Sequence, residues 1–110
     1  MKKIARYGSW QSPITSDLIV TGTVGLGYVL AEGSTVYWSE LRPSEKGRVT
    51  IVRQTAGGPA EDLLPEPWNA RTRVHEYGGA AFMVHDGIVY FSNFADQRLY
   101  RLAPGQNPQP

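Results

Sequence analysis

Val36-Tyr37-Trp38-Ser39-Glu40 and Val89-Tyr90-Phe91-Ser92-Asn93 match position for position across a spacing of 53 residues. The register extends upstream: Val29-Leu30-Ala31-Glu32 aligns with Phe82-Met83-Val84-His85, and Gly25 with Gly78. Downstream, Ile51-Val52-Arg53 aligns with Leu99-Tyr100-Arg101 at a spacing of 48, because the second copy has the shorter loop. Such β-branched and aromatic runs fit a pleated, half-buried surface. Each copy therefore reads as strand, tight turn, strand, loop, strand.

Turn chemistry supports the same division. Between strands expected over residues 27–32 and 35–40, Gly33 takes positive φ without a Cβ penalty. Asp86-Gly87 is a strong hairpin signal between strands over 80–85 and 88–93. Third strands are expected over 48–55 and 98–102, and Leu63-Leu64 offers a weak fourth strand before Pro65 and Pro67. Within 48–55, Val49 and Ile51 share one face, and Thr50, Val52 and Gln54 the other. No stretch holds a 3.6-residue apolar period over helical length. Ser16 offers a cap for one helical turn over 16–20, but the β-branched Ile19-Val20-Thr21 argues against it.

A period near 50 with about four antiparallel strands is the pattern of a β-propeller blade. Val36, Tyr37 and Trp38 are apolar in succession, which predicts a strand buried on both faces, as when blades stack. One blade cannot bury both of its faces alone. The expected fold class is all-β, with antiparallel four-stranded propeller-type blades, about two of them, forming an incomplete propeller. The division is residues 1–24 as an N-terminal arm, 25–67 as a first blade, 68–104 as a partial second blade and 105–110 as a linker-like tail. Two blades are fewer than the usual minimum of about four, so the 110 residues read as part of a longer chain.

Composition narrows the function. Hydrophobic residues make up 41% and charged residues 19%, too apolar for disorder, and no apolar run approaches a membrane span. Eleven basic against ten acidic residues leave +1, so no strong field points to nucleic acid or an anionic membrane. The absence of cysteine excludes disulfides, thiolate zinc sites and cysteine nucleophiles. Met1-Lys2-Lys3 is not followed by the apolar core of a signal peptide, and a cytoplasmic location is expected.

Three stretches occur in order: Tyr7-Gly8-Ser9-Trp10-Gln11-Ser12-Pro13-Ile14-Thr15, Arg73-Val74-His75-Glu76-Tyr77-Gly78-Gly79, and Ser92-Asn93-Phe94-Ala95-Asp96-Gln97-Arg98-Leu99-Tyr100. Together they resemble the N-terminal region of prolyl oligopeptidase family (S9) serine peptidases, nearest the acylaminoacyl-peptidase/dipeptidyl-aminopeptidase-like branch. The resemblance runs from about Tyr7 to Pro104. It implies a propeller seated over a C-terminal α/β-hydrolase domain, which would be this chain's partner and would carry the Ser-Asp-His triad. It also implies a role in gating and positioning short peptides. No Gly-x-Ser-x-Gly elbow surrounds any of the seven serines, so no catalytic residue is assigned. The alternative is a non-enzymatic β-propeller or β-sheet module that binds a protein partner.

His75-Glu76-Tyr77 is the densest cluster of chemically active side chains. Neighbours on an extended strand point to opposite faces, so His75 and Glu76 do not make a working acid–base dyad. In a structural role, His75 and Tyr77 hydrogen-bond within an inter-blade connection and Glu76 pairs with Arg71 or Arg73. In a functional role, Glu76 or an arginine faces the tunnel and contacts a peptide terminus. Glu76, Arg73 and His75 are thus the candidate substrate-binding residues. His75 and His85 lack further ligands at metal-site spacing, so no metal or cofactor is expected. Exposed blade faces are expected to drive self-association.

Overall fold

The computed structural model describes residues 4–20, 23–74 and 80–110. The arm over residues 4–15 is exposed, with Trp10 Nε1 donating to the Ala5 carbonyl at 3.1 Å. A single helical turn, α1 (Ser16–Val20), follows. This corrects the sequence expectation. Thr15 Oγ1 accepts the Leu18 N–H at 3.1 Å, so Thr15 rather than Ser16 caps the turn. A cap contributes about 1 kcal/mol, which outweighs the few tenths per residue that β-branching costs.

Among the described residues seven strands follow, in two antiparallel sheets. The first sheet has the order β1 (Gly25–Glu32), β2 (Thr35–Arg42), β3 (Arg48–Thr55) and β4 (Ala60–Asp62). The second has the order β5 (Phe82–His85), β6 (Ile88–Asn93) and β7 (Arg98–Leu102). The chain is all-β in the sense expected, and each sheet runs in chain order, as in a blade. The fourth strand lies just before Leu63-Leu64 instead of on it. The Leu63 N–H still donates to Ile51, but Leu64 turns its side chain into the core. Its carbonyl is taken by Arg48 and Thr50, and Pro65 has no N–H with which to continue a ladder.

The repeat is a repeat in space. Asp86 (φ 50) and Gly87 (φ 75) both adopt positive φ in the two-residue turn between β5 and β6. Arg53 pairs with Glu61 in the first sheet. At the same spacing of 48, Arg101 pairs with Gln109, exchanging N–H···O bonds of 2.7 and 2.9 Å. Residues 105–110 are thus tied to β7 where β4 is tied to β3.

The core lies between the sheets. Tyr37, Ile51 and Leu64 from the first meet Phe82, Val89, Phe91, Tyr100 and Leu102 from the second, with Ala70 of the connector between them. Trp68 adds an aromatic cluster, its ring edge-on to Phe91 at 5.9 Å and to Tyr100 at 4.8 Å. β3 is buried on both faces: Ile51 faces the second sheet while Thr50 and Val52 lie opposite. β2 is not. Tyr37 is only 3% exposed, but Val36 is 38% exposed and Trp38 half-buried. The register places Val36 and Trp38 with Val29 on the outer face of the first sheet, which no described residue covers with a second sheet.

One contact ties the two hairpin tips together. The Glu32 carboxylate accepts the N–H of Asp86 at 2.9 Å and of Gly87 at 2.7 Å. Hydrogen bonds to a charged acceptor contribute about 1.5–3 kcal/mol at best. Exposure lowers this, so Glu32→Gln is expected to cost about 1 kcal/mol. The diagnostic readout is faster amide exchange at Asp86 and Gly87 in the variant; unchanged protection there would contradict the tie.

Candidate functional site

The connector between the sheets is pinned on both sides. The Val49 N–H donates to Asn69 Oδ1 at 3.0 Å, and the Ala70 N–H donates to the Val49 carbonyl at 2.8 Å. On the other side, the Arg71 N–H reaches the Ser92 carbonyl at 3.0 Å, and the Phe94 N–H reaches the Asn69 carbonyl at 2.9 Å. The Arg73 N–H then donates to Gln97 Oε1 at 3.2 Å, while Gln97 Nε2 donates to the Phe94 carbonyl at 2.8 Å. The two arginines and Phe94 are therefore held against one another through the backbone.

The guanidinium carbons of Arg71 and Arg73 lie 5.1 and 4.9 Å from the centroid of the Phe94 ring. Both side chains are otherwise exposed. Beside them the sheets part into a cleft of about 770 Å³, lined among others by Leu26, Tyr28, Leu41, Arg71 and Phe82. β1 forms one wall and carries a bulge between Leu26 and Val29. There the Tyr28 N–H donates to Ser39 Oγ at 3.0 Å. A Cβ on Gly27 would lie 2.5 Å from that oxygen, so any other residue there would push the Ser39 hydroxyl off its bond to Tyr28.

The arginines of the first sheet differ. Arg42 contacts Glu40, Glu45 and Asp62, Arg48 contacts Glu45, and Arg53 contacts Glu61. Among the described residues no carboxylate pairs with Arg71 or Arg73. Bonds from Arg42 hold the Asp62 carboxyl below its ordinary range, those from Arg48 do the same for Glu45, and the Tyr100 hydroxyl does so for Asp96. A carboxyl whose pKa is depressed in the folded state contributes stability above its unfolded value, and that contribution is lost as pH falls through the folded one. The urea midpoint is therefore expected to hold from pH 7 to about pH 5 and to drop below about pH 4. A midpoint rising on acidification would contradict these pairings.

Of the three candidate residues, Arg73 lies against Phe94 and Gln97, next to the cleft-lining Arg71 and Thr72 but not itself lining the cleft, while His75 and Glu76, with Tyr77, lie outside the described residues. His85 is well exposed, its Nε2 3.3 Å from Asp86 Oδ2. Phe94 and Gln97 complete the Arg71–Arg73 arrangement and were not singled out from sequence. One signal was present: two arginines two apart on an extended segment fall on one side.

No family model and no curated protein matches the chain. Solved structures do. A puromycin-hydrolyzing peptidase of Mycobacterium tuberculosis is 41% identical with a TM-score of 0.81, over 99% of this chain and 18% of its own. A puromycin hydrolase is 43% identical with a TM-score of 0.78, over 96% of this chain and 17% of its own. Over nearly its whole length the chain is similar to a segment of these peptidases of the S9 family. A mutant of puromycin hydrolase complexed with PGG matches equally, at 43% identity and a TM-score of 0.79. The chain spans only 17–18% of the length of these proteins, while the matches cover 96–99% of its own residues.

Proposed function

We propose that this chain is a segment of an S9 peptidase, that it forms two adjacent blades of a propeller covering a peptide-cleaving α/β-hydrolase domain, and that it gates and positions short peptides. Identity of 41–43% to puromycin-hydrolysing peptidases over nearly the whole segment carries this reading. The parent activity is of the acylaminoacyl or dipeptidyl type. Arg73, His75 and Glu76 contact the peptide, with Arg73 held by Gln97 and Phe94. The chain alone is expected not to hydrolyse aminoacyl or acyl-peptide chromogenic substrates. Turnover abolished by a serine-directed inhibitor would overturn that. A hydrolase carrying this segment in place of its own matching one is expected to keep peptide cleavage; a folded but inactive chimera would count against the role.

The outer faces support a propeller setting. Val29 and Val36 on one side and Met83 and Leu99 on the other are exposed apolar side chains. Neighbouring blades would cover them. In their absence the isolated chain self-associates through these faces, and sedimentation at rising concentration reads the association directly. A concentration-independent monomer would overturn it.

A further inference from the structure

We propose that Arg71, which lines the inter-sheet cleft, and Arg73, stacked with it on Phe94, bind the terminal carboxylate of a short peptide. This rests on the peptide-positioning role above and names the group recognised. Two guanidinium groups share one aromatic ring, at 5.1 and 4.9 Å. Their charges repel, and a ring face is only a weak counter-charge. The other three arginines described above each hold a carboxylate of this chain. Arg71 and Arg73 hold none among the described residues. A guanidinium fork matches a carboxylate through two parallel N–H···O bonds. Here the forks are pre-positioned, since the backbones of both residues and Phe94 are bonded to one frame through Ser92, Asn69 and Gln97.

The adjoining cleft selects a peptide over a small inorganic anion. Its volume of about 770 Å³ suits a ligand of several residues, and Leu26, Tyr28, Leu41 and Phe82 give it apolar walls. Among the described residues β1 has a strand on one side only, so apart from the Tyr28 N–H, which Ser39 Oγ takes, its outer backbone groups are open to pairing. Residues 25–28 of that strand line the cleft. An extended peptide laid along them finds backbone partners, and its carboxylate end reaches the arginines.

The test titrates the full 110-residue chain with Pro-Gly-Gly and separately with its C-terminal amide, following the Nε–H resonances of Arg71 and Arg73. The acid is expected to bind at least about tenfold more tightly than the amide. In an R71Q/R73Q double variant the acid is expected to fall to the level of the amide, while amide binding stays unchanged. Phe94→Leu keeps the apolar contact and loses part of the difference. Equal binding of acid and amide to the parent chain overturns the carboxylate site and leaves the peptide role standing. Binding of neither overturns both. A preference for the acid that opens only in Glu76→Gln also overturns the proposal, because the arginines are then occupied by this chain's own carboxylate.

Discussion

Truncating Phe91 to alanine is expected to leave the chain largely unfolded at 25 °C. The side chain is 0% exposed and sits where the two sheets meet. It stacks on Tyr100 at 5.8 Å, meets the edge of Trp68 and stands opposite Phe82 across the β5–β6 ladder. Removing a buried phenylalanine costs about 3–5 kcal/mol, partly from lost transfer and partly from the cavity left behind. A domain of this size has about 5–15 kcal/mol in all, and one with two uncovered sheet faces sits near the low end. Urea titration followed by tryptophan fluorescence reads the loss, since Trp68 reports on the same cluster. Leu99→Ala is the control, because Leu99 is 66% exposed on the outer face and its removal should shift stability by no more than about 0.5 kcal/mol. Equal midpoints for the two variants would show that the inter-sheet core does not hold the chain together.

Arg48→Ala is expected to be comparably damaging for a different reason. Arg48 is 7% exposed, yet it carries a charge. Its Nη1 donates to the carbonyls of Leu64 at 2.8 Å and Trp68 at 3.0 Å, and its Nη2 meets Glu45 Oε1 at 2.9 Å. The side chain thus fastens the crossing between the sheets from beneath. Breaking such a pair from one side costs about 3–5 kcal/mol, because the partners left behind stay desolvated. Leu64 keeps one bond from Thr50 Oγ1, and Glu45 is partly solvated, which places the expected value toward the lower end. Arg48→Lys restores the charge without the fork, and one ammonium cannot serve three acceptors in this geometry. It is expected to recover less than half of the loss by the same titration. Full recovery by lysine would mean that charge alone matters there.

The parts of the fold that were legible in the sequence are those governed by neighbours along the chain. Alternation of Val89, Phe91 and Asn93 with Ile88, Tyr90 and Ser92 specifies a strand and its buried face, and Asp86-Gly87 specifies the turn before it. The shared pattern of the two copies then specifies that the sheets are alike. What escaped depends on partners distant in sequence or on weak local terms. Val36 is apolar but faces outward, because no second sheet among the described residues covers that face. Leu64 looks like a strand residue, yet burial of its side chain and capture of its carbonyl by Arg48 and Thr50 override local preference. At the candidate site, Arg73 was named from its cluster. Its companions Phe94 and Gln97 lie more than 20 residues away and are linked to it only by folding.

The bond from Glu32 to the tip of the neighbouring hairpin has a mechanical consequence. It lies at the turn end of β1, whereas the cleft beside Arg71 opens at the other end, around Gly25 and Phe82. The sheets are thus fastened at two places: by the Glu32 carboxylate at the turn end, and beside the cleft by the connector, bonded to Val49 on one sheet and Ser92 on the other. Glu32 shares the load of holding the sheets together from the margin that does not line the cleft.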